Sequence, residues 1–112
     1  MPAVLVEKKN HTLVVTLNRP EKRNAVNSEV MCRLYDAWRE LDQNDELRVA
    51  ILTGKGNTFC AGMDLTEIPK LRTGQPENEF MERVMKEPAL IYGAWLKTNR
   101  PGKPVILAAE GF

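Results

Sequence analysis

The spacing of apolar residues changes several times along this chain, and each change marks an element. Ala3 to Lys9 and Thr12 to Asn18 are β-rich runs parted by Asn10-His11, a pair suited to a hairpin turn. The core of the second run, TLVVTL, is apolar enough to be covered on both faces. Arg19 to Asn27, RPEKRNAVN, is a charged loop containing Pro20. Beyond it the period lengthens. Val30, Met31, Leu34, Ala37, Trp38 and Leu41 recur every three or four residues, which predicts a helix over Ser28 to Gln43 capped by Asn27 or Ser28 and ended by DQND.

Val49-Ala50-Ile51-Leu52 is a short all-apolar strand of the kind found inside parallel sheets. A glycine-containing turn follows, then a short helical pattern from Asp64 to Leu71 that is expected to stop near Pro69 or soon after. Thr73 to Pro76 is loop. Glu77 to Lys97 is helical in pattern but interrupted at Pro88, which suits the first position of a second helix better than an interior one. Arg100 to Lys103 reads as a turn, and Pro104 opens a strand over Val105 to Ala109. The order ββ, α, β, α, α, β predicts an α/β chain with crossover helices and a sheet at least partly parallel.

Composition narrows this to one small unit. The 112 residues fit a single domain, with 43% hydrophobic and 28% charged residues as in ordinary globular chains. Sixteen Lys+Arg against fifteen Asp+Glu leave a net charge of +1. That balance argues against a nucleic-acid partner, which needs a strongly basic face, while leaving room for a local anion site. Cys32 and Cys60 have neither disulfide-framework nor metal-ligand spacing, so no metal is expected. No apolar run approaches the ~20 residues of a membrane helix, and no targeting leader precedes VLVEKK. A cytoplasmic, membrane-free location is the expectation. PVILAAEGF ends the chain on an interior-looking strand and a glycine turn, so a fragment is expected.

The candidate chemistry lies in LTGKGNTFCAGMDL, Leu52 to Leu65, where three glycines, a cysteine and an aspartate sit between two apolar runs. A phosphate-binding P-loop would need Ser or Thr directly after the lysine, and Lys55 is followed by Gly56. A Cys60 nucleophile would need a histidine base, and the only one is His11, in an early turn. Cys60 also fits as a small apolar filler after Phe59. The third reading uses bare backbone. Ala61 and Gly62 turn the chain tightly at a helix start, where N–H groups lack internal partners and partial positive charge collects. An N–H at Met63 suits an oxyanion, for which the side chain hardly matters and small neighbours do. An ordinary strand–turn–helix corner has the same local pattern, and chemistry alone leaves both open.

Three blocks in order add specificity. LNRPEKRNAVN (Leu17 to Asn27), ILTGKGNTFCAGMDL (Ile51 to Leu65) and KPVILAAEGF (Lys103 to Phe112) resemble successive signatures of the enoyl-CoA hydratase/isomerase (crotonase) superfamily at about the family's spacing. The resemblance covers most of the chain and is weakest over Thr66 to Arg100. It implies a crotonase-like ββα spiral core, incomplete, with residues 1–112 forming its N-terminal part. The residue matching Met63 supplies one of two oxyanion N–H groups for a thioester enolate. The segment matching Ala61 to Leu65, with Met63, Asp64 and Leu65, lines the adenine and pantetheine site of coenzyme A, which enters as part of the substrate rather than as a cofactor. The loop matching Arg23 to Ala25 lies against the same group, with Lys22 or Arg23 near its phosphates. Lys22 reads more simply as solvated, and Asp64 as a structural group at its own helix start rather than a base.

The resemblance also implies what the chain lacks: the second oxyanion N–H, the acid and base carboxylates, and the helical part used to form trimers. Glu67, Glu77, Glu79, Glu82 and Glu87 read instead as the polar faces of exposed helices. The expected activity is enoyl-CoA hydration by a full-length homo-oligomer, trimer or hexamer, with the 112-residue chain inactive alone. The alternatives are an isomerase or acyl-CoA hydrolase of the same superfamily, or a non-catalytic acyl-CoA- or RNA-binding relative.

Overall fold

The computed structural model describes residues 2–96 and 102–109. Four strands, β1 (Val4–Lys9), β2 (Thr12–Leu17), β3 (Val49–Gly54) and β4 (Val105–Ala108), form one sheet in that order. β1 runs antiparallel to β2 through the Asn10-His11 turn, where Asn10 takes the left-handed φ of 56° that asparagine tolerates. β2–β3 and β3–β4 are parallel, as the helical crossovers predict. β3 runs two residues further than its apolar core, to Gly54, because it stays in register with β2 as far as Leu17.

Helix α1 (Ser28–Gln43) has the predicted bounds, and its cap is Asn27, whose side chain accepts the Val30 N–H at 2.9 Å. It covers the sheet face that carries Val4, Leu13, Val15, Leu17, Ala50 and Leu52, all buried. The expectation that TLVVTL is covered on both faces is corrected. Leu13, Val15 and Leu17 are buried, while Thr12, Val14 and Thr16 on the other face are only partly so among the described residues. Strand side chains alternate, and the helices described pack on one side.

The stretch after the glycine turn departs most from the pattern. A 3-10 turn at Leu65–Glu67 leads into α2 (Ile68–Thr73), which is closed by Gly74 at φ 71°. Pro69 therefore stands in the first turn of α2 rather than stopping it, because a first-turn proline gives up only an N–H that is orphaned anyway. The long helical pattern resolves into α3 (Glu79–Lys86) and α4 (Leu90–Ala94). Pro88 lies in the turn between them, not at the head of α4. The expected end at Lys97 lies outside the described residues, as do Arg100 and Glu110 to Phe112.

Both short helices pack on α1. The Trp38 Nε1–H donates to the Ala94 carbonyl at 2.7 Å, and the Arg83 guanidinium forks onto Asp36 at 2.9 and 2.7 Å. At the far end of α1, Lys103 Nζ donates to the carbonyls of Leu41 and Asn44 at 2.7 and 2.8 Å. These are carbonyls at the C-terminus of a helix, where a cation also meets the negative end of the dipole. The entry to β4 is fixed in this way beside α1.

Candidate active site

Parallel β2 and β3 end side by side, Leu17 opposite Gly54, so the segments leaving them emerge at one sheet end. The outer carboxyl end of parallel strands is where α/β sheets commonly place their ligands. Here the emerging segments are Asn18 to Val26 and Lys55 to Leu65. The Ala61 N–H donates to the Arg23 carbonyl at 2.9 Å, the Val26 N–H to Gly62 at 2.7 Å, and the Asp64 N–H to Val26 at 2.8 Å. The last two form an isolated parallel bridge between Val26 and Met63. Arg23 and Ala25 are thus brought together with Ala61, Met63 and Asp64.

The bridge decides where Met63 points. In a parallel ladder the bonds of Val26 go to the residues flanking its partner, so Met63's own N–H and carbonyl face the opposite side. No acceptor among the described residues meets the Met63 N–H. Met63 is 50% exposed, Gly62 before it has φ 104°, and Ala61 and Leu65 are exposed. A side chain at 62 would be strained at that φ.

The loop on the other segment is built around Asn24, a residue the charged-loop pattern does not single out. Asn24 is 1% exposed and takes the left-handed conformation with φ 57°, as does Arg23 with φ 53°. Its Nδ2 donates to the Lys55 and Thr58 carbonyls at 2.9 and 2.8 Å, and its Oδ1 accepts the Arg19 N–H at 2.8 Å. Gly54 makes this approach possible, since a Cβ there would stand 2.7 Å from the Phe59 carbonyl oxygen and 2.9 Å from Asn24 Nδ2. The only advance signal was an asparagine, tolerant of the left-handed region, in a loop between two strands.

Arg23 is exposed and lines an open cavity of about 540 Å³ bounded by Pro20, Lys55, Gly56, Asn57 and Thr58. Met63 does not line that cavity, so the two faces of the site are adjacent rather than one cleft. Lys22 is exposed, as expected for a solvated cation. Ala25 is partly buried and presents its carbonyl to Arg19 Nη1 at 2.6 Å.

Asp64 is committed to structure. Its Oδ1 accepts the Thr66 N–H at 3.0 Å and the Thr66 hydroxyl at 2.6 Å, and its Oδ2 accepts Arg19 Nη2 at 3.1 Å. The Thr66 bonds, reinforced by Arg19, hold its carboxyl below the usual aspartate range against the opposing effect of burial. Glu67 corrects the reading of an exposed polar face. Its Oε1 accepts both the N–H and the hydroxyl of Ser28 at 2.8 Å, tying the 3-10 turn to the start of α1. Cys60 has no histidine near it, since His11 lies at the opposite end of β2, where its Nδ1 meets the Glu46 carbonyl at 2.8 Å.

The match to known proteins decides the family: the model for enoyl-CoA hydratase/isomerase aligns with residues 7–112. The chain belongs to the enoyl-CoA hydratase/isomerase family. It is 44% identical over 110 residues to enoyl-CoA hydratase EchA19 of Mycobacterium tuberculosis, covering 98% of this chain and 40% of that one. It is 40% identical over 102 residues to mevalonyl-coenzyme A hydratase sidH of Aspergillus fumigatus, covering 91% and 35%. Among solved structures it is similar to enoyl-CoA hydratase EchA1 from Mycobacterium marinum, with a TM-score of 0.78 and 38% identity over 99% of this chain and 39% of that one. The chain therefore spans about two-fifths of these relatives' length and carries an incomplete α/β core of the crotonase fold. Among the described residues no helix is long and apolar enough to cross a membrane.

Proposed function

We propose that this chain carries half of an acyl-CoA thioester site, and that the protein is an enoyl-CoA hydratase in which the Met63 N–H donates to the thioester oxygen. The observation that carries the reading is the direction of that N–H, turned away from Val26 and without an acceptor among the described residues. Relatives named as hydratases of enoyl-CoA and mevalonyl-CoA support the reaction class. When water adds across an α,β-unsaturated thioester, negative charge gathers on the carbonyl oxygen. A preorganised N–H aimed there stabilises that charge more than it does the ground state.

In this reading the remaining residues bind and shape. Ala61 and Gly62 keep the space beside Met63 free of side chains, and Leu65 adds an exposed apolar surface to the turn. Arg23, exposed on the adjoining loop, meets the phosphates of coenzyme A. Asp64 is engaged by Arg19 and Thr66, so the general acid and base are assigned to other carboxylates, and the second N–H donor to another turn. The full-length protein is expected to be a homo-oligomer, a trimer or hexamer.

The test is loss of the enoyl-thioester absorbance of crotonyl-CoA with the longest chain its gene encodes. An ester in place of the Gly62–Met63 amide removes the donor, while weakening the Gly62 carbonyl that accepts the Val26 N–H, and is expected to lower kcat about 10²–10³-fold. Met63→Leu is expected to retain activity. If the ester form is as fast as the amide, Met63 is not a donor.

A further inference from the structure

The two segments of the site share a single ladder bridge, Val26 opposite Met63. Three backbone hydrogen bonds join the segments, from Ala61 to Arg23 and on either side of the bridge, and all lie at the start of a largely exposed stretch. Arg19 adds a side-chain constraint that spans both segments. Its Nη1 donates to the Ala25 carbonyl, one residue before the bridge on the first segment. Its Nη2 donates to Asp64 Oδ2, one residue after Met63 on the second. A guanidinium is rigid and planar, so one group fixes both backbones in a common frame.

The clamp is held at every end. The Arg19 backbone N–H is bound by Asn24 Oδ1, and the second Asp64 oxygen is filled by Thr66. The side chains of Arg19 and Asp64 are only 14% and 11% exposed. Charges withdrawn from water to that extent persist where they are paired and hydrogen-bonded, as both are here. The side-chain bonds between Arg19, Asp64 and Ala25 run within the frame around Met63, and neither Arg19 nor Asp64 lines the cavity that Arg23 lines.

We infer that Arg19, acting through Asp64 and Ala25, is a positioning residue that sets the direction of the Met63 N–H. It acts through these two partners rather than as a donor to the thioester. The inference rests on the reading of Met63 as the thioester donor. Lysine in its place keeps the charge but offers a point donor that cannot serve both carbonyl and carboxylate in one plane.

The experiment uses the longest encoded chain and butyryl-CoA carrying carbon-13 at the thioester carbonyl, a saturated ligand that binds without being hydrated. Isotope-edited infrared spectroscopy then reads the carbonyl stretch, which falls when the oxygen accepts a strong hydrogen bond. Wild type is compared with Arg19→Lys, with Asp64→Asn, which keeps an acceptor for Thr66 but breaks the ion pair, and with Arg83→Gln, which cuts the remote Asp36 pair. Melting curves confirm folding, and Asp64→Asn carries the test if Arg19→Lys does not fold.

With wild type shifting the carbonyl, the expectation is that Arg19→Lys and Asp64→Asn return the stretch toward its value in water. They should lower crotonyl-CoA kcat about tenfold or more with little change in KM, the signature of a mis-set transition-state contact. Arg83→Gln should leave the shift intact. A wild-type shift that survives in both clamp variants overturns the inference and leaves the Met63 reading standing. An Arg83→Gln variant that also loses the shift overturns it too, since general loosening would then be enough. If wild type shows no carbonyl shift, the Met63 reading fails and the inference with it.

Discussion

Arg19 and Asp64, 45 positions apart in the chain, meet through a guanidinium–carboxylate contact of 3.1 Å directly beside Met63. The contact joins the two loops that leave β2 and β3, so the geometry of the candidate site depends on a pair that neither loop contains by itself.

The pair makes stability depend on pH in a defined direction. The Asp64 carboxyl is held below its ordinary value of 3.8, chiefly by Thr66 and then by Arg19. Its contribution is therefore complete above that value and is lost as pH falls below it through the lower folded-state value. Denaturant unfolding followed from neutral pH down to pH ~3 is expected to show a smaller acid-side loss for Asp64→Asn than for wild type. Parallel curves for the two proteins would remove Asp64 as a contributor.

Asn24 should be among the least replaceable polar residues. Asn24→Ala strips partners from the Lys55 and Thr58 carbonyls and from the Arg19 N–H, and it places a Cβ-bearing residue without a local side-chain bond in the left-handed region. A loss on the order of 2–4 kcal/mol is expected in urea unfolding. Asn24→Gly relieves the backbone but not the lost bonds and should recover only part of it.

Gly54→Ala tests the close approach beneath that loop. The added carbon would press on the Phe59 carbonyl at 2.7 Å, which is backbone and cannot swing aside. A destabilisation of about 1–3 kcal/mol is expected, with weaker acyl-CoA binding by calorimetry because the Lys55 to Phe59 loop must shift.

Binding should respond to bulk at Ala61 more than to side-chain chemistry at Met63. Ala61→Trp is expected to weaken acyl-CoA binding about tenfold or more, and Met63→Leu by much less, since Met63 acts through its backbone. Equal small effects in a coenzyme A titration would count against the site.

Residues 1–112 produced on their own should associate and fail to hydrate crotonyl-CoA. Ile106 and Leu107 on β4 are 54% and 58% exposed, and β4 is the edge of the sheet described. Such an edge offers an apolar row and unpaired backbone groups to a second chain. Concentration-dependent light scattering reads the association, and robust turnover by this chain would show that the catalytic groups lie elsewhere.

The features legible in the chain before folding are local ones. α1 lies where its apolar period and the Asn27 cap put it, because a 3.6-residue repeat and a cap involve only neighbours along the chain. The parallel sheet followed from strands separated by helical crossovers, and the family from three ordered blocks. Local pattern misread Pro69 and Pro88, since a proline fits the first turn of a helix, or the turn before one, equally well in the one-dimensional pattern. Long-range packing, not local pattern, buries Asn24 against the Lys55 to Thr58 loop and sets Glu67 on Ser28. The same is true of Arg19, which binds both sides of the Met63 turn. A polar side chain's partner is chosen by whichever backbone groups folding leaves unpaired beside it, and for Asn24 and Glu67 those lie more than thirty residues away.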